Sequence, residues 1–188
     1  MEILTLARTM SLVLATIFAL LAGGLRLIEH APNIAAVGAL AIWSGAYLPR
    51  RIGWIIPLLV MLITDSIIGF YNPFIMLAVY GCFAIGSWFG KLLARQREAG
   101  NIILAATGSS IIFFLVTNGA VWAFGSLYPK TIQGLVSCFF MAIPFFRNSL
   151  ISDLGFSAAF FGVSETAIFI RRIIRKAKVS QIATTNQF

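Results

Sequence analysis

The sequence predicts an all-α integral membrane protein built from six transmembrane helices, and three observations carry that prediction. Of its 188 residues, 60% are hydrophobic and only 11% are charged. Mean hydropathy is +0.94. A soluble domain of this length has too little interior to hide so much apolar surface, so lipid must be the solvent for much of it. Finally, the basic residues fall mainly in short segments between long apolar runs. The net charge of +8 therefore reads as membrane topology rather than as a nucleic-acid surface.

A spanning helix needs about 20 apolar residues, and the runs follow one another along the chain. The first span is expected near 3–24; it is too long, and too poor in a small-residue cleavage site, for a removable signal peptide. A polar stretch follows through Glu29, His30 and Asn33. The second span, near 35–48, is short and closes at Pro49-Arg50-Arg51. The third, near 52–71, ends at Asn72-Pro73, the fourth lies near 74–94 and the fifth near 102–124. The stretch 132–145, interrupted by Pro144, reads as a helix or hairpin lying in a long loop. The last span is expected near 148–172, and residues 179–188 form a polar tail to a single membrane domain over 1–178.

Lysine and arginine bias sets the orientation. Eleven of the fourteen basic residues fall on the side holding both termini, since only Arg26, Lys130 and Arg147 lie on the other. The basic side, and with it both termini, is predicted to be cytoplasmic, as in a multi-pass protein of a bacterial inner membrane. The outer loops are then 24–34, 72–73 and 125–147. They are unequal and rich in polar and aromatic residues, the arrangement of a pocket that opens outward.

Two groups of residues carry candidate chemistry. The first is His30 with Cys82, which lies about 12 Å below the outer end of the fourth span. A bare zinc site usually wants four protein ligands, or three plus water, and one histidine with two cysteines argues against it. A metal that brings its own equatorial nitrogens, as in haem or a corrin, needs only axial ligands. The plain alternative is a packed cysteine and a solvated histidine; Cys138 is a weaker candidate. The second group comprises the polar residues of the spans. Asp65, Asn118, Asn148 and Asp153 fall at outer depth with Trp122, and buried ionisable groups in lipid are either functional or paired. Arg147 is a candidate partner for Asp153 or Asp65, and Arg171, Arg172 or Lys91 for Glu165. An aromatic belt including Tyr71, Tyr80 and Tyr128 surrounds them. No nucleotide-binding loop is present, so the chain is not expected to hydrolyse ATP. A row of small residues, Ala7, Ser11, Ala15, Ala19 and Gly23, runs along the first span and packs either within the bundle or against a partner.

Six short spans, long first and third outer loops and the Ala15-x-x-x-Ala19 pattern resemble the substrate-binding S-components of energy-coupling factor (ECF) vitamin transporters. A closer resemblance is to the solitary, S-component-like cobalamin transporters of the BtuM type. It is carried by His30 through Trp43, by Asp65-Ser-Ile-Ile-Gly-Phe70, by Cys82, and by Asn118-Gly-Ala-Val-Trp122 with Tyr128-Pro-Lys-Thr131 and Phe145-Phe-Arg-Asn148. The resemblance implies an S-component bundle that imports vitamin B12, holding cobalt base-off on the Cys82 thiolate with His30 on the opposite axial face. It further implies thiolate-assisted loss of an upper cyanide ligand as a side activity. Asn33, Asp65, Tyr71, Tyr80, Asn118, Trp122, Tyr128, Arg147, Asn148 and Asp153 are the expected remaining contacts to cobalamin. An ECF energising module is an expected partner through Ala15, Ala19 and Gly23. The competing readings are an S-component for another vitamin, with Cys82 merely packed, a haem-binding electron-transfer protein, and an assembly protein without a ligand.

Overall fold

The computed structural model describes residues 2–28 and 33–185, with side chains for 9–28 and 33–177. Its elements are α1 (Glu2–Leu27), α2 (Val37–Tyr47), α3 (Arg50–Gly53), α4 (Ile55–Ile68), α5 (Pro73–Leu92), α6 (Ala99–Phe124) and α7 (Ile132–Thr185), with no strand among the described residues. Five stretches are long and apolar enough to cross a membrane: Thr9–Leu27, Arg50–Ile68, Pro73–Leu92, Ala99–Phe124 and Ile132–Ala177. Their outward faces are apolar too, with Leu20, Leu77, Leu104 and Phe140 all largely exposed. Such surfaces belong in lipid, and the chain is a multi-pass helical membrane protein.

Proline and glycine punctuate the helices. Leu48, held extended before Pro49, ends α2. Pro57 cannot donate to the carbonyl of Gly53 four residues earlier, so α3 and α4 part at Trp54. The freed Gly53 carbonyl accepts the Ser44 hydroxyl at 2.5 Å instead. Gly69, at φ +115°, turns the chain out of α4 through a conformation open only to glycine. Asn72 caps α5 by accepting from the Phe74 amide at 2.9 Å, and its own amide donates to the Phe124 carbonyl at 3.0 Å. That pair of bonds joins the start of α5 to the end of α6.

The core is centred on α2. Val37, Leu40, Ile42 and Trp43 are all buried, so a helix of only 11 residues lies inside the bundle rather than on its rim. Gly45 and Gly90 let α2 cross α5 at backbone distance: a Cβ on Gly90 would run into the Ile42 carbonyl, and one on Gly45 into the Ser87 carbonyl. Phe18 stacks on Phe160 at 4.1 Å between ring centres and meets Trp43 edge-on, locking α1 and α7 to α2.

Two expectations are corrected, and a third was open between two alternatives. Residues 132–145 are not a separate loop element; they continue into the last span as one helix of 54 residues. Pro144 removes only one amide bond, to the Phe140 carbonyl, and Phe139 and Phe146 both pack on Phe114 of α6, on either side of it. At about 80 Å this helix is far longer than a bilayer core. Glu165 pairs with Arg97 at 2.9 Å and accepts from Tyr47 at 2.5 Å, rather than joining Arg171, Arg172 or Lys91. The row of small residues on α1 turns inward: Ala15 is buried, Ala19 packs on the core and Gly23 lies against Val60 and Thr64.

Candidate ligand cavity

The basic end of the bundle is the one bearing Arg50, Arg51, Arg95 and Arg97. A two-lobed cavity opens at the opposite end, where α1, α4 and α6 finish and α2 and α5 begin. One lobe, about 300 Å³, is lined by Arg26, Val37, Gly38, Met61, Tyr71 and Asp153, among others. The second, about 310 Å³, is walled by Thr117, Asn118, Tyr128, Cys138, Met141 and Phe145, among others. Asn33, Val79, Phe113 and Ser149 line both, so the lobes adjoin.

Charge in the first lobe is held in two ways. Arg26, in the last turn of α1, donates to Asp65 at 2.7 Å and to the Thr64 hydroxyl at 2.8 Å, with Met61 sulfur alongside. Tyr80 donates to the other Asp65 oxygen at 2.9 Å. Asp65 is 1% exposed and is satisfied behind the cavity wall, while the flank of Arg26 faces the lobe. Asp153 differs. It reaches the cavity surface, accepts from the Ser110 hydroxyl at 2.6 Å, and has no basic side chain within ion-pair distance among the described residues. Gly38 makes room for it, because any Cβ there would strike the carboxylate. Tyr71, in the loop before α5, is 38% exposed; partial burial first, then the Asp65 charge, pushes its phenol up to about 12 against the opposing pull of Arg26. It therefore stays a neutral donor.

Of the residues predicted from the sequence, Asn33, Tyr71, Asn118, Tyr128 and Asp153 come together around the cavity. Asp65, Tyr80, Trp122, Arg147, Asn148 and Cys82 are not among its walls. Asp65 pairs with Arg26 rather than Arg147, and Arg147 is exposed with no ion pair among the described residues. The Trp122 indole donates to the Pro129 carbonyl, and the Trp122 carbonyl accepts Lys130, so both residues close the 125–131 turn. Cys82 is 3% exposed. It lies one helical turn beyond Val79, which lines both lobes, on the same face of α5. His30 lies outside the described residues. No group of three or more metal-ligating side chains occurs among the described residues. Arg26, Gly38 and Ser149 are cavity residues the sequence did not single out. Arg26 carried a usable signal, as one of only three basic residues on its side.

Fold and cavity together define a class: a multi-pass helical membrane protein with a mainly apolar cavity, carrying a few polar side chains, at the end away from its basic rim. The chain belongs to the DUF6580 family, a family of unknown function, whose model matches residues 6–177. No curated protein and no solved structure matches it.

Proposed function

We propose that the chain is a membrane importer that captures cobalamin from outside the cell in this cavity, as the solitary S-component-like transporters do. The basic end and both termini are then cytoplasmic, six segments (α1, α2, α3–α4, α5, α6 and α7) form the bundle, and the membrane is the bacterial inner membrane. The observation that carries the reading is the cavity itself. Its two adjoining lobes open opposite the basic rim, and both are walled by the face of α5 that bears Cys82. Cobalamin is bulkier than either lobe, so its capture requires the lobes to open into one and Val79 to uncover Cys82. The thiol then loses its proton to cobalt coordination, and the lower base of the vitamin is displaced. Asp153 and Tyr71 meet the peripheral amides of the corrin. Cyanide on the opposite axial face, where His30 is the proposed replacement, leaves as the anion while cobalt stays trivalent.

The burial of Cys82 supports a second reading, an S-component for a smaller vitamin in which the cysteine only packs. Absorption spectra of the purified protein incubated with cyanocobalamin separate the two. The cobalamin reading expects a bound corrin whose spectrum shifts in Cys82→Ala, with a smaller change in His30→Ala. Absence of corrin binding rejects it. Corrin binding with an identical spectrum in Cys82→Ala rejects the cobalt ligand alone.

A further inference from the structure

The basic end holds an opening of its own. Because α2 stops at Tyr47 and the chain continues extended through Leu48 and Pro49, the short helix does not fill the bundle down to that end. The space left between α1, α2 and the last turn of α5 is a groove of about 490 Å³, the largest cavity described here. Its wall is apolar along Leu12, Ala46 and Ile52, and small at Gly45. Two cations, Arg50 and Lys91, line the same groove from α3 and α5. Arg97, at the same end, is neutralised by Glu165. Arg50 and Lys91 have no ion pair among the described residues. An apolar trough ending in two cations with no acidic partner among the described residues, at the depth where a helical bundle leaves the hydrocarbon, complements one class of molecule: a lipid with an anionic head.

We propose that this groove holds one anionic phospholipid of the adjacent leaflet, with its phosphate between Arg50 and Lys91 and an acyl chain along Leu12 and Ile52. The site is separate from the ligand cavity and does not depend on what that cavity binds. The lipid fills the space α2 leaves and bridges α1, α3 and α5, elements that otherwise meet around α2.

Native mass spectrometry of the full-length protein in mild detergent, titrated with phosphatidylglycerol or phosphatidylcholine, tests the proposal. One phosphatidylglycerol is retained per chain in preference to phosphatidylcholine. Arg50→Gln/Lys91→Gln weakens that binding by about thirtyfold, the loss expected for two cations at a membrane surface. Arg95→Gln, which removes a cation at the same end outside the groove, leaves it unchanged. Leu12→Trp keeps both charges but fills the trough, and also weakens binding. Millimolar inorganic phosphate does not displace the lipid. Unfolding midpoints verify that the variants fold; should the double variant fail, Lys91→Gln alone carries the test. Equal binding of the two lipids overturns the proposal, as does an unaffected double variant. Displacement by phosphate with no effect of Leu12→Trp overturns it in favour of a free-anion site. A second protein chain excluding the lipid from the groove overturns it in favour of a protein partner.

Discussion

Replacing Arg26 with methionine tests whether a buried ion pair ties α1 to α4. Asp65 is 1% exposed, and its two oxygens are held by Arg26 at 2.7 Å and Tyr80 at 2.9 Å. Arg26→Met leaves the carboxylate in place with one neutral donor. Breaking a buried pair by removing one partner costs about 3–5 kcal/mol. Arg26 retains 18% side-chain exposure, which places the expected loss near the lower end, about 3 kcal/mol. The second half of the test removes the stranded charge. Arg26→Met/Asp65→Leu replaces the pair with apolar side chains, and such replacements are often neutral or better. The Tyr80 hydroxyl then lacks its acceptor, a residual cost of about 1 kcal/mol. The double variant is therefore more stable than the single one, the opposite of additive behaviour. Equilibrium unfolding in mixed micelles, with SDS as denaturant and tryptophan fluorescence as the signal, measures all three proteins. A single variant losing under about 1 kcal/mol, or a double variant no better than the single, would refute the ion pair as the tether.

Three further outcomes follow from the same geometry. Trp43→Phe removes the indole bond to Ser164, 2.8 Å long and fully buried, and leaves a small void, lowering unfolding stability by about 2 kcal/mol; an unchanged midpoint contradicts this packing. Asp153→Asn keeps an acceptor for Ser110 but replaces the carboxyl group facing the cavity with an amide, so cyanocobalamin binding by equilibrium dialysis weakens roughly tenfold while stability holds. Unchanged affinity removes Asp153 from the site. The Tyr71 phenol is raised from 10.0 to about 12 in the folded protein. The folded state thus holds that proton more tightly, so its contribution to stability is present below pH 10 and is lost as pH rises toward 12. Tyr71→Phe flattens the fall of the unfolding midpoint across that window; an identical slope in the variant contradicts the assignment.

Hydropathy made most of the bundle legible, because lipid imposes a length on every span and α1, α5 and α6 carry long apolar runs. Residues 132–145 were not legible as part of the last helix. A proline reads as a break in the sequence, and only the aromatic contacts of Phe114 with Phe139 and Phe146 show why the helix runs through Pro144. The partner of Asp65 was equally hidden. Arg26 lies 39 residues away, and nothing local distinguishes it from Arg147, the other arginine on its side. The Glu165 pairing failed for the same reason, since Arg97 comes from the α5–α6 connection and adjacent basic residues look like better partners. The crossing of α2 and α5 did leave a trace. Ala41-x-x-x-Gly45 and Gly86-x-x-x-Gly90 are small-residue rows of the kind that let helices touch in lipid, and they bring backbones closer than the row on α1 does.

That crossing and the cavity can be separated by methyl groups at three glycines. A Cβ at Gly90 meets backbone, the Ile42 carbonyl, and backbone on a helix buried on all sides cannot yield locally. Gly90→Ala is expected to lose about 3 kcal/mol or more of stability, at or beyond the upper end of ordinary overpacking. Gly162, inside α7, has nothing within 4 Å of its added Cβ, so Gly162→Ala gains up to about 1 kcal/mol of helix propensity. Gly38 stands between these cases. The nearest atoms to its Cβ all belong to the Asp153 carboxyl group, a side chain rather than backbone, and the first lobe offers that group space to move into. Gly38→Ala should therefore change unfolding little but weaken ligand binding, because the displaced carboxylate occupies ligand space. If Gly90→Ala is tolerated as well as Gly162→Ala, α2 is not pinned to α5 by contact of backbones. If Gly38→Ala unfolds the protein as Gly90→Ala does, the carboxylate at 153 is part of the core rather than of the cavity wall.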